Sequence, residues 1–285
     1  MVHPDEEEVQ RIAQQTGADF DMLKAPLDPE ERARIDAEDN TSLILVDIPT
    51  IEMEGKDFVY STIPLGILTT ENHLITVCLK DSHIMRDFAQ NHVKGFFTYK
   101  KTRFILQILY RNASRYLQYL RQIDKKTNAI ETELQRTLRN QELMQLMRLE
   151  KSLVFFATSL KSNEIVLEKL LRSDLIRRFP DDEDLLEDVI IENKQAIEMC
   201  AIYRDILSST MDAFSSVISN NVNDIMKVLT SLTLVLSIPT LIASIWGMNV
   251  KVPFEGDSVG FWILLGASLL ASIISIVILS KRRML

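Results

Sequence analysis

The distribution of apolar and charged positions divides the chain into two unlike parts. Residues 1–227 are rich in charge, whereas the remainder contains two long apolar runs separated by a short polar loop. The first run, 228–246, has 19 residues and the second, 259–280, has 22, and neither holds a charged residue. Each run is long enough to cross a hydrocarbon core about 30 Å thick. We therefore predict two membrane-spanning helices joined by the loop 247–258.

The beginning of the chain has the pattern of a small α/β domain. Residues 1–40 are predicted to form short acidic helices and loops. Three runs of β-branched and apolar residues with the length of strands follow them. These runs are Ser42–Ile48, Phe58–Leu68 and His73–Leu79. Proline, glycine or polar residues bound the runs, so we predict an α/β domain over residues 1–100.

The middle of the chain has the period of a helix. From residue 101 onward, apolar residues recur every three or four positions. We predict helical hairpins over residues 101–180, with breaks near Asp124 and Asn163.

A very long helix is predicted to follow. Pro180 precedes four acidic residues, which is a strong start signal because acids in the first turn meet the positive end of the helix dipole. Nothing interrupts this helix before Pro239. The prediction is one helix from Asp181 to Trp246, with a stalk over 181–227 that continues into the first span. A helix of this length needs other helices, or copies of the chain, to cover its apolar stripe.

The basic residues predict how the two spans are oriented. Lys227 precedes the first span, and the tail 281–285 after the second begins with Lys281-Arg282-Arg283. The connecting loop carries one base, Lys251, against two acids. Since basic residues stay on the cytoplasmic side, both termini are predicted to be cytoplasmic in a multi-pass protein of the cell membrane. The N-terminus lacks the pattern of a signal peptide.

Composition argues against several classes of function. The net charge of −8 arises entirely within residues 1–40, so no basic field is available for nucleic acid. No glycine lies between Phe96 and Ile238, which removes the phosphate-binding loops of nucleotide-driven pumps. The histidines and cysteines have no metal-ligand or catalytic spacing, so no enzyme is predicted. Cys78 and Cys200 lie in apolar runs and are predicted to be buried thiols.

The first span carries a line of small hydroxyl residues. Steps of four, three and four residues place them on one helix face: Thr233, Ser237, Thr240 and Ser244. Towards the cytoplasm the same face reaches Leu229 or Thr230, then Met226 and Asn223. One interpretation is the lining of a pore, which needs an oligomer because two spans enclose no water. The other is close helix packing, with each hydroxyl bonded to its own backbone. In the second span, Ala267, Ala271 and Ser275 are predicted to form a packing seam.

The tripeptide Gly247-Met248-Asn249, at the end of the first span, resembles the signature of the CorA family of magnesium channels. The similarity extends over 219–230 and 239–249, and includes the layout of an α/β domain, a helical middle, a very long helix, two terminal spans and a basic tail. This chain departs from some family members in two respects. It has Ser237 where they have a pore-facing methionine, and its proline comes one position later, at Pro239.

The resemblance implies a homopentamer in which first spans line the pore and second spans face lipid. It implies a selectivity filter of Gly247, Met248 and Asn249, with five Asn249 amides contacting hydrated Mg²⁺. The implied pore-lining residues are Asn223, Met226, Leu229, Thr233, Ser237, Thr240 and Ser244. Neutral amide oxygens suit an ion that holds six waters and releases them reluctantly. Glu255 would concentrate cations at the entrance, or would be an ordinary solvated charge.

The resemblance also implies regulation by intracellular Mg²⁺. Six carboxylates lie within eight residues at the start of the long helix: Asp181, Asp182, Glu183, Asp184, Glu187 and Asp188. In the family, Mg²⁺ binds between subunits and holds the closed state. Asp188 matches the helix ligand, and its partner in the α/β domain is Asp81 or Asp87. The alternative is a solvated acidic helix start.

These observations predict an α+β membrane protein that forms a channel for Mg²⁺, with Co²⁺ or Ni²⁺ as further substrates. One alternative is a zinc exporter or proton-coupled zinc importer of the same superfamily, although the intact Gly-Met-Asn favours magnesium. Another is a membrane-anchored coiled-coil scaffold without conduction. The scaffold would explain the long helix and the hairpin of spans, but it would leave Gly247-Met248-Asn249 as a coincidence.

Overall fold

The computed structural model describes residues 1–38, 41–54, 57–137, 140–173, 180–249 and 258–282. The chain divides into two compact units, Met1–Met211 and Asp212–Leu285. The helices are α1 (Glu6–Thr16), α2 (Phe20–Lys24), α3 (His83–Ala89), α4 (Lys101–Thr137), α5 (Asn140–Arg172), α6 (Pro180–Trp246) and α7 (Ser258–Lys281). The strands are β1 (Arg34–Glu38), β2 (Thr41–Glu54), β3 (Asp57–Thr69) and β4 (Leu74–Cys78).

The four strands form an antiparallel sheet in the order β1-β2-β3-β4. The three predicted strands are confirmed: the first two are parts of β2 and β3, and the third contains β4 with one further residue at each end. The prediction missed β1 and the far half of β2, because Pro49 reads as the end of a strand. Pro49 and its near neighbour across the hairpin, Pro64, lie where neither β1 nor β4 is paired. A proline is tolerated there because each strand has only one partner.

Helices cover both faces of the sheet. On β2, Ile44, Val46 and Ile48 face a core that contains residues of α3, α4, α5 and the start of α6. Leu43 and Leu45 alternate with them and pack against α1 and α2. Because both faces are buried, the strand has a continuous apolar run instead of an apolar-polar alternation.

The helical middle is one hairpin of two long helices, α4 and α5. The predicted breaks near Asp124 and Asn163 are wrong, since both residues lie inside helices. Asn163 is 3% exposed, and its amide is fully used. Its Oδ1 accepts from the Asp47 N–H and its Nδ2 donates to the Asp47 carbonyl, both at 2.8 Å. A polar residue that resembles a helix breaker is therefore an attachment point between α5 and the sheet.

Asp47 is the point where the hairpin is fastened to β2. Its carbonyl also accepts from Asn112 Nδ2 at 2.8 Å and from the Tyr116 hydroxyl at 3.2 Å, both on α4. Burial raises the pKa of the Asp47 carboxyl, and a hydrogen bond with Ser159 opposes this in part. The folded protein therefore binds a proton at Asp47 more readily than the unfolded chain does.

We predict that Asp47→Asn stabilises the protein at neutral pH, because burial disfavours the ionised form of the wild-type carboxyl. The stability from this group rises as pH falls through its raised pKa and is complete below the ordinary value. The advantage of the variant should therefore shrink as the solution is acidified, which urea unfolding of the detergent-solubilised protein would measure. Asp21→Asn, at an exposed acid on α2, is the control for losing one negative charge. A constant difference between Asp47→Asn and wild type across pH would contradict the prediction.

The predicted long helix is confirmed as α6, which has 67 residues and begins at Pro180. At its start, Leu186 and Val189 join the sheet core. Asp182 is buried beside them and pairs with Arg103 of α4 at 3.3 Å. The prediction of buried thiols is also confirmed, because Cys78 and Cys200 are both free and buried.

Candidate functional site

Two described helices are long and apolar enough to cross a membrane. They lie within α6, over Asp182–Trp246, and within α7, over Val259–Lys281. Only 6% of the most apolar 18-residue window of each is buried within the protein. The core helix of a soluble protein would bury most of such a window. The length, composition and exposure of these helices therefore fit the two predicted spans.

The hydroxyl residues of the first span share one exposed face of α6. All four are exposed: Thr233, Ser237, Thr240 and Ser244. Thr233 Oγ1 donates to the Leu229 carbonyl at 2.8 Å, Ser237 Oγ to the Thr233 carbonyl at 2.7 Å, and Thr240 Oγ1 to the Leu236 carbonyl at 2.9 Å. These three hydroxyls use their protons within the helix. Their oxygen lone pairs remain as hydrogen-bond acceptors on the exposed face.

The opposite face of α6 is the one that is shielded within the second unit. Ser231 is fully buried. Further residues with reduced exposure follow at helical spacing: Val235, Ile238, Pro239, Ile242 and Trp246. At 3.6 residues per turn, these residues lie across the helix from the hydroxyls. The hydroxyl face is therefore not the packing face within a single chain.

The shielded face of α7 is rotated from the predicted seam. Within the single chain Ala271 and Ser275 are partly buried, in agreement with the seam, whereas Ala267 is exposed. Ser268 and Ser272 take part in the shielded face instead. Ser272 Oγ and Ser275 Oγ donate to carbonyls of their own helix at 2.9 Å. These serines can pack as small residues because their protons are satisfied locally.

The first span ends in a tight turn that carries the tripeptide. The Gly247 N–H donates to the Ala243 carbonyl at 2.9 Å, and α6 ends one residue earlier, at Trp246. A Cβ at Gly247 would lie 3.3 Å from the Ala243 oxygen, closer than ordinary contact, so glycine suits this turn. Met248 and Asn249 follow and are exposed. The predicted entrance residue Glu255 lies outside the described residues.

The predicted residues at the cytoplasmic end of the pore are exposed on α6: Asn223, Met226 and Leu229. Asn223 and Met226 line a surface concavity of about 640 Å³ together with Thr230. At its edge, Lys227 Nζ pairs with Asp224 Oδ1 at 2.8 Å. The two charges of this pair cancel, and the Asn223 amide is neutral. These side chains therefore add no net charge to the concavity.

The predicted regulatory carboxylates differ in what they contact. Asp188 is exposed, and the described part of the chain provides no ion-pair partner for it. Asp81 is paired with Arg86, and Asp87 with Arg115 at 3.3 Å. Among the described residues, no group of three or more histidine, cysteine or acidic side chains is arranged to hold a metal ion.

Comparison with known proteins identifies the family. Residues 1–282 match the family described as CorA-like Mg²⁺ transporter protein. The chain belongs to this family. CorA-like proteins are membrane transporters, and no catalytic activity is indicated for this one.

Two relatives illustrate how far the similarity to CorA-like proteins extends. The cobalt/magnesium transport protein CorA of Methanocaldococcus jannaschii is 28% identical over 290 residues, which cover 98% of this chain and 88% of the relative. The complete structure of the CorA magnesium transporter from that organism has a TM-score of 0.83 at 26% identity, and the match covers 97% of this chain and 87% of that one. The α/β unit, the long helix and the two candidate spans thus form a CorA fold.

A similarity to the structure of a ZntB domain is weaker. The ZntB cytoplasmic domain from Vibrio parahaemolyticus has a TM-score of 0.57 at 13% identity, covering 75% of this chain and 83% of that domain. At that identity the match shows the fold alone. The zinc alternative is therefore a lesser fit to this CorA-like chain.

Sequence reasoning missed two features of this CorA-like site. It did not identify Arg103 as the partner of Asp182, which relieves part of the repulsion among the acids at the start of α6. It also gave no indication of which face of α6 is shielded. The spacing of Ser231, Val235 and Ile242 contains that signal, but the hydroxyl pattern on the other face is more conspicuous.

Proposed function

We propose that this CorA-like chain forms a channel that admits Mg²⁺ across the cell membrane, with Co²⁺ or Ni²⁺ as further substrates. The observation that carries the proposal is the exposed hydroxyl face of α6. It lies opposite the shielded face and leads outward to Asn249. The name of the Methanocaldococcus jannaschii relative, a cobalt/magnesium transport protein, supports the choice of ions.

The hydrogen-bond acceptors on this face suit a hydrated cation. Waters in the first shell of Mg²⁺ point their protons outward, so the lining of a pore must offer hydrogen-bond acceptors to them. Thr233, Ser237 and Thr240 already donate to their own helix and retain lone pairs. At the mouth, the side-chain amide oxygen of Asn249 attracts the ion. Because the amide is neutral, it does not trap the ion as a ring of carboxylates would.

The pore would lie between five copies of the chain. One pair of spans encloses no water, and a homopentamer gives five copies of α6 around one axis, with α7 facing lipid. Met226 and Leu229 would then form apolar rings that close the pore by excluding water. Gly247 and Met248 would hold Asn249 at the outer mouth, and Ser244 and Asn223 would add polar rings near either end.

The orientation follows from charge. Lys227, Lys281 and Arg282 lie next to the cytoplasmic ends of the two spans, so both termini would be cytoplasmic and the tripeptide would face outward. Glu255, six residues beyond Asn249, would raise the local concentration of cations at the entrance.

Regulation would use Mg²⁺ bound by Asp188 of one copy and by Asp81 or Asp87 of another. The exposed Asp188 carboxylate, with no ion-pair partner in the described ranges, fits a cation ligand. Asp81 and Asp87 each face an arginine, which the ion would have to displace. Asp81 is the more exposed of the two and would exchange its partner at lower cost. An ion that binds only the closed ring stabilises that ring by mass action.

We predict that Asn249→Ala and Asn249→Asp abolish selective Mg²⁺ uptake and leave folding and assembly intact, because the exposed amide supports no core. In Asn249→Ala, uptake into liposomes should fall roughly tenfold or more, the effect of losing a hydrogen bond to a charged species. In Asn249→Asp, the ring of carboxylates should instead hold the ion too tightly to release it. Asn221→Ala, at an exposed amide away from the hydroxyl face, is the matched control and should conduct normally. Native rates and native competition by cobalt hexaammine in Asn249→Ala would place the filter elsewhere.

We predict that the protein is a pentamer in mild detergent. Native mass spectrometry should report five chains per particle, because a lining built from one helix per chain needs several copies to enclose water. A stable monomer or dimer would argue decisively against the proposed pore.

We predict that Asp188→Ala weakens the protection that millimolar Mg²⁺ gives the cytoplasmic domain against proteolysis. More current should also flow at high internal Mg²⁺, because the closed ring loses a ligand. Asp205→Ala removes an exposed carboxylate further along α6 and is the control. Equal protection and equal inhibition in the Asp188 variant and the wild type would exclude Asp188 from the sensor.

A further inference from the structure

The loop between α3 and α4 exposes a pair of aromatic side chains. Phe97 is 50% exposed and Tyr99 is 74% exposed, and their ring centroids are 5.6 Å apart. Single exposed apolar residues are ordinary, but adjacent aromatics with this exposure are typical of a contact surface.

The loop is held in place from beneath. Phe96 packs against Phe88 and Phe104, with ring centroids 5.2 and 4.6 Å away, and those two rings are 5.1 Å from each other. Gly95 has a φ of 69°, a left-handed conformation that glycine adopts readily. The exposed pair is therefore presented by an anchored loop, which lowers the entropy lost when a partner binds.

Two lysines flank the aromatic pair. Lys94 and Lys100 are exposed, and Lys100 Nζ lies 5.8 Å from the Phe97 ring centroid. Neither lysine has a carboxylate partner within the described ranges. We call Lys94, Phe97, Tyr99 and Lys100 the aromatic-lysine patch. Its chemistry suits an acidic surface.

The start of α6 provides such a surface. Glu183, Asp184, Glu187 and Asp188 are exposed and form what we call the acidic face, while Leu186 and Val189 on the other side of the helix are buried. No cation of the described chain pairs with any of the four acids. Asp182 differs from them, because it is buried and paired with Arg103. Like charges on adjacent turns repel one another unless a cation approaches them.

We propose that the aromatic-lysine patch of one copy binds the acidic face of α6 in the neighbouring copy. Both surfaces are backed by one core, to which Phe88, Leu186 and Val189 belong. A contact between two different surfaces of the same chain repeats from copy to copy, and it forms a ring when the rotation between neighbours closes, as the proposed oligomer requires. The inference thus rests on the proposed oligomer and identifies a contact within it.

The charges of the two surfaces also relate the contact to the proposed regulation. Two lysines against four carboxylates leave a net charge of −2 on the joined surfaces, which still favours a cation at Asp188. The lysine contact and a regulatory ion would thus share the acidic face, with the lysines holding the copies together when Mg²⁺ is absent.

Cysteine cross-linking in the full-length protein tests the contact. The pair Tyr99→Cys and Glu187→Cys should give an intersubunit disulfide ladder under mild oxidation, with and without EDTA. Cys78 and Cys200 are buried and do not compete. The pair Tyr99→Cys and Glu198→Cys is the control, because Glu198 is exposed on the same side about three turns further along α6. Equal cross-linking in both pairs, or its loss in EDTA, would overturn the proposal.

Charge reversal provides a second, reversible readout. Lys100→Glu should raise the dissociation constant between subunits roughly tenfold, because it opposes carboxylate to carboxylate. Adding Glu187→Lys should return the dissociation constant towards the wild-type value, whereas adding Glu198→Lys should not. Rescue by both or by neither would contradict the contact.

These outcomes are distinguishable from failure of the proposed channel. If native mass spectrometry reports an oligomer that conducts Mg²⁺ but does not cross-link at the first pair, the contact is wrong and the channel stands. If the protein is monomeric, both proposals fail.

Discussion

A chain with two membrane spans has no interior in which to hold water, and this constraint governs the arrangement of its helix faces. Every polar group on a span must be satisfied within its own helix, by the other span or by another copy. On α6, Thr233, Ser237 and Thr240 satisfy their protons on the preceding turn, so the hydroxyl face requires no partner from its own chain. The shielded residues lie across the helix. The hydroxyl face is consequently free to line a shared space, which the proposed function requires.

The first unit, Met1–Met211, depends on a different contact, the attachment of the α4–α5 hairpin to the sheet. Four hydrogen bonds meet at the main chain of Asp47, and they come from two asparagines and a tyrosine on two helices. Hydrogen bonds to a backbone group specify position more strictly than apolar packing does, because their geometry is directional. They set the hairpin against the same sheet whose core receives the start of α6. The proposed regulatory and subunit contacts both use surfaces supported by this core.

The comparisons and the geometry support the proposed function in different ways. Family membership gives the class of protein, a membrane transporter with the CorA fold, but it does not identify the residues that would line a pore. The geometry bears on those residues, because it separates an exposed acceptor face from a shielded one. The exposed Asn249 and Asp188 are consistent with the roles proposed for them, and their substitutions affect no described core.

Several features followed from the sequence alone, because they depend on length, hydropathy and local chemistry. Two uncharged runs define the candidate spans, Pro180 with its acids starts the long helix, and Gly247-Met248-Asn249 marks the end of the first span. The tertiary structure decided the features that depend on residues far apart in the chain. Asn163 was mistaken for a break because its partner, Asp47, lies 116 residues away. The Arg103 partner of Asp182 is 79 residues distant, and the shielded face of α6 depends on what surrounds it. Local pattern predicts which element forms, whereas burial and pairing are decided only when distant segments meet.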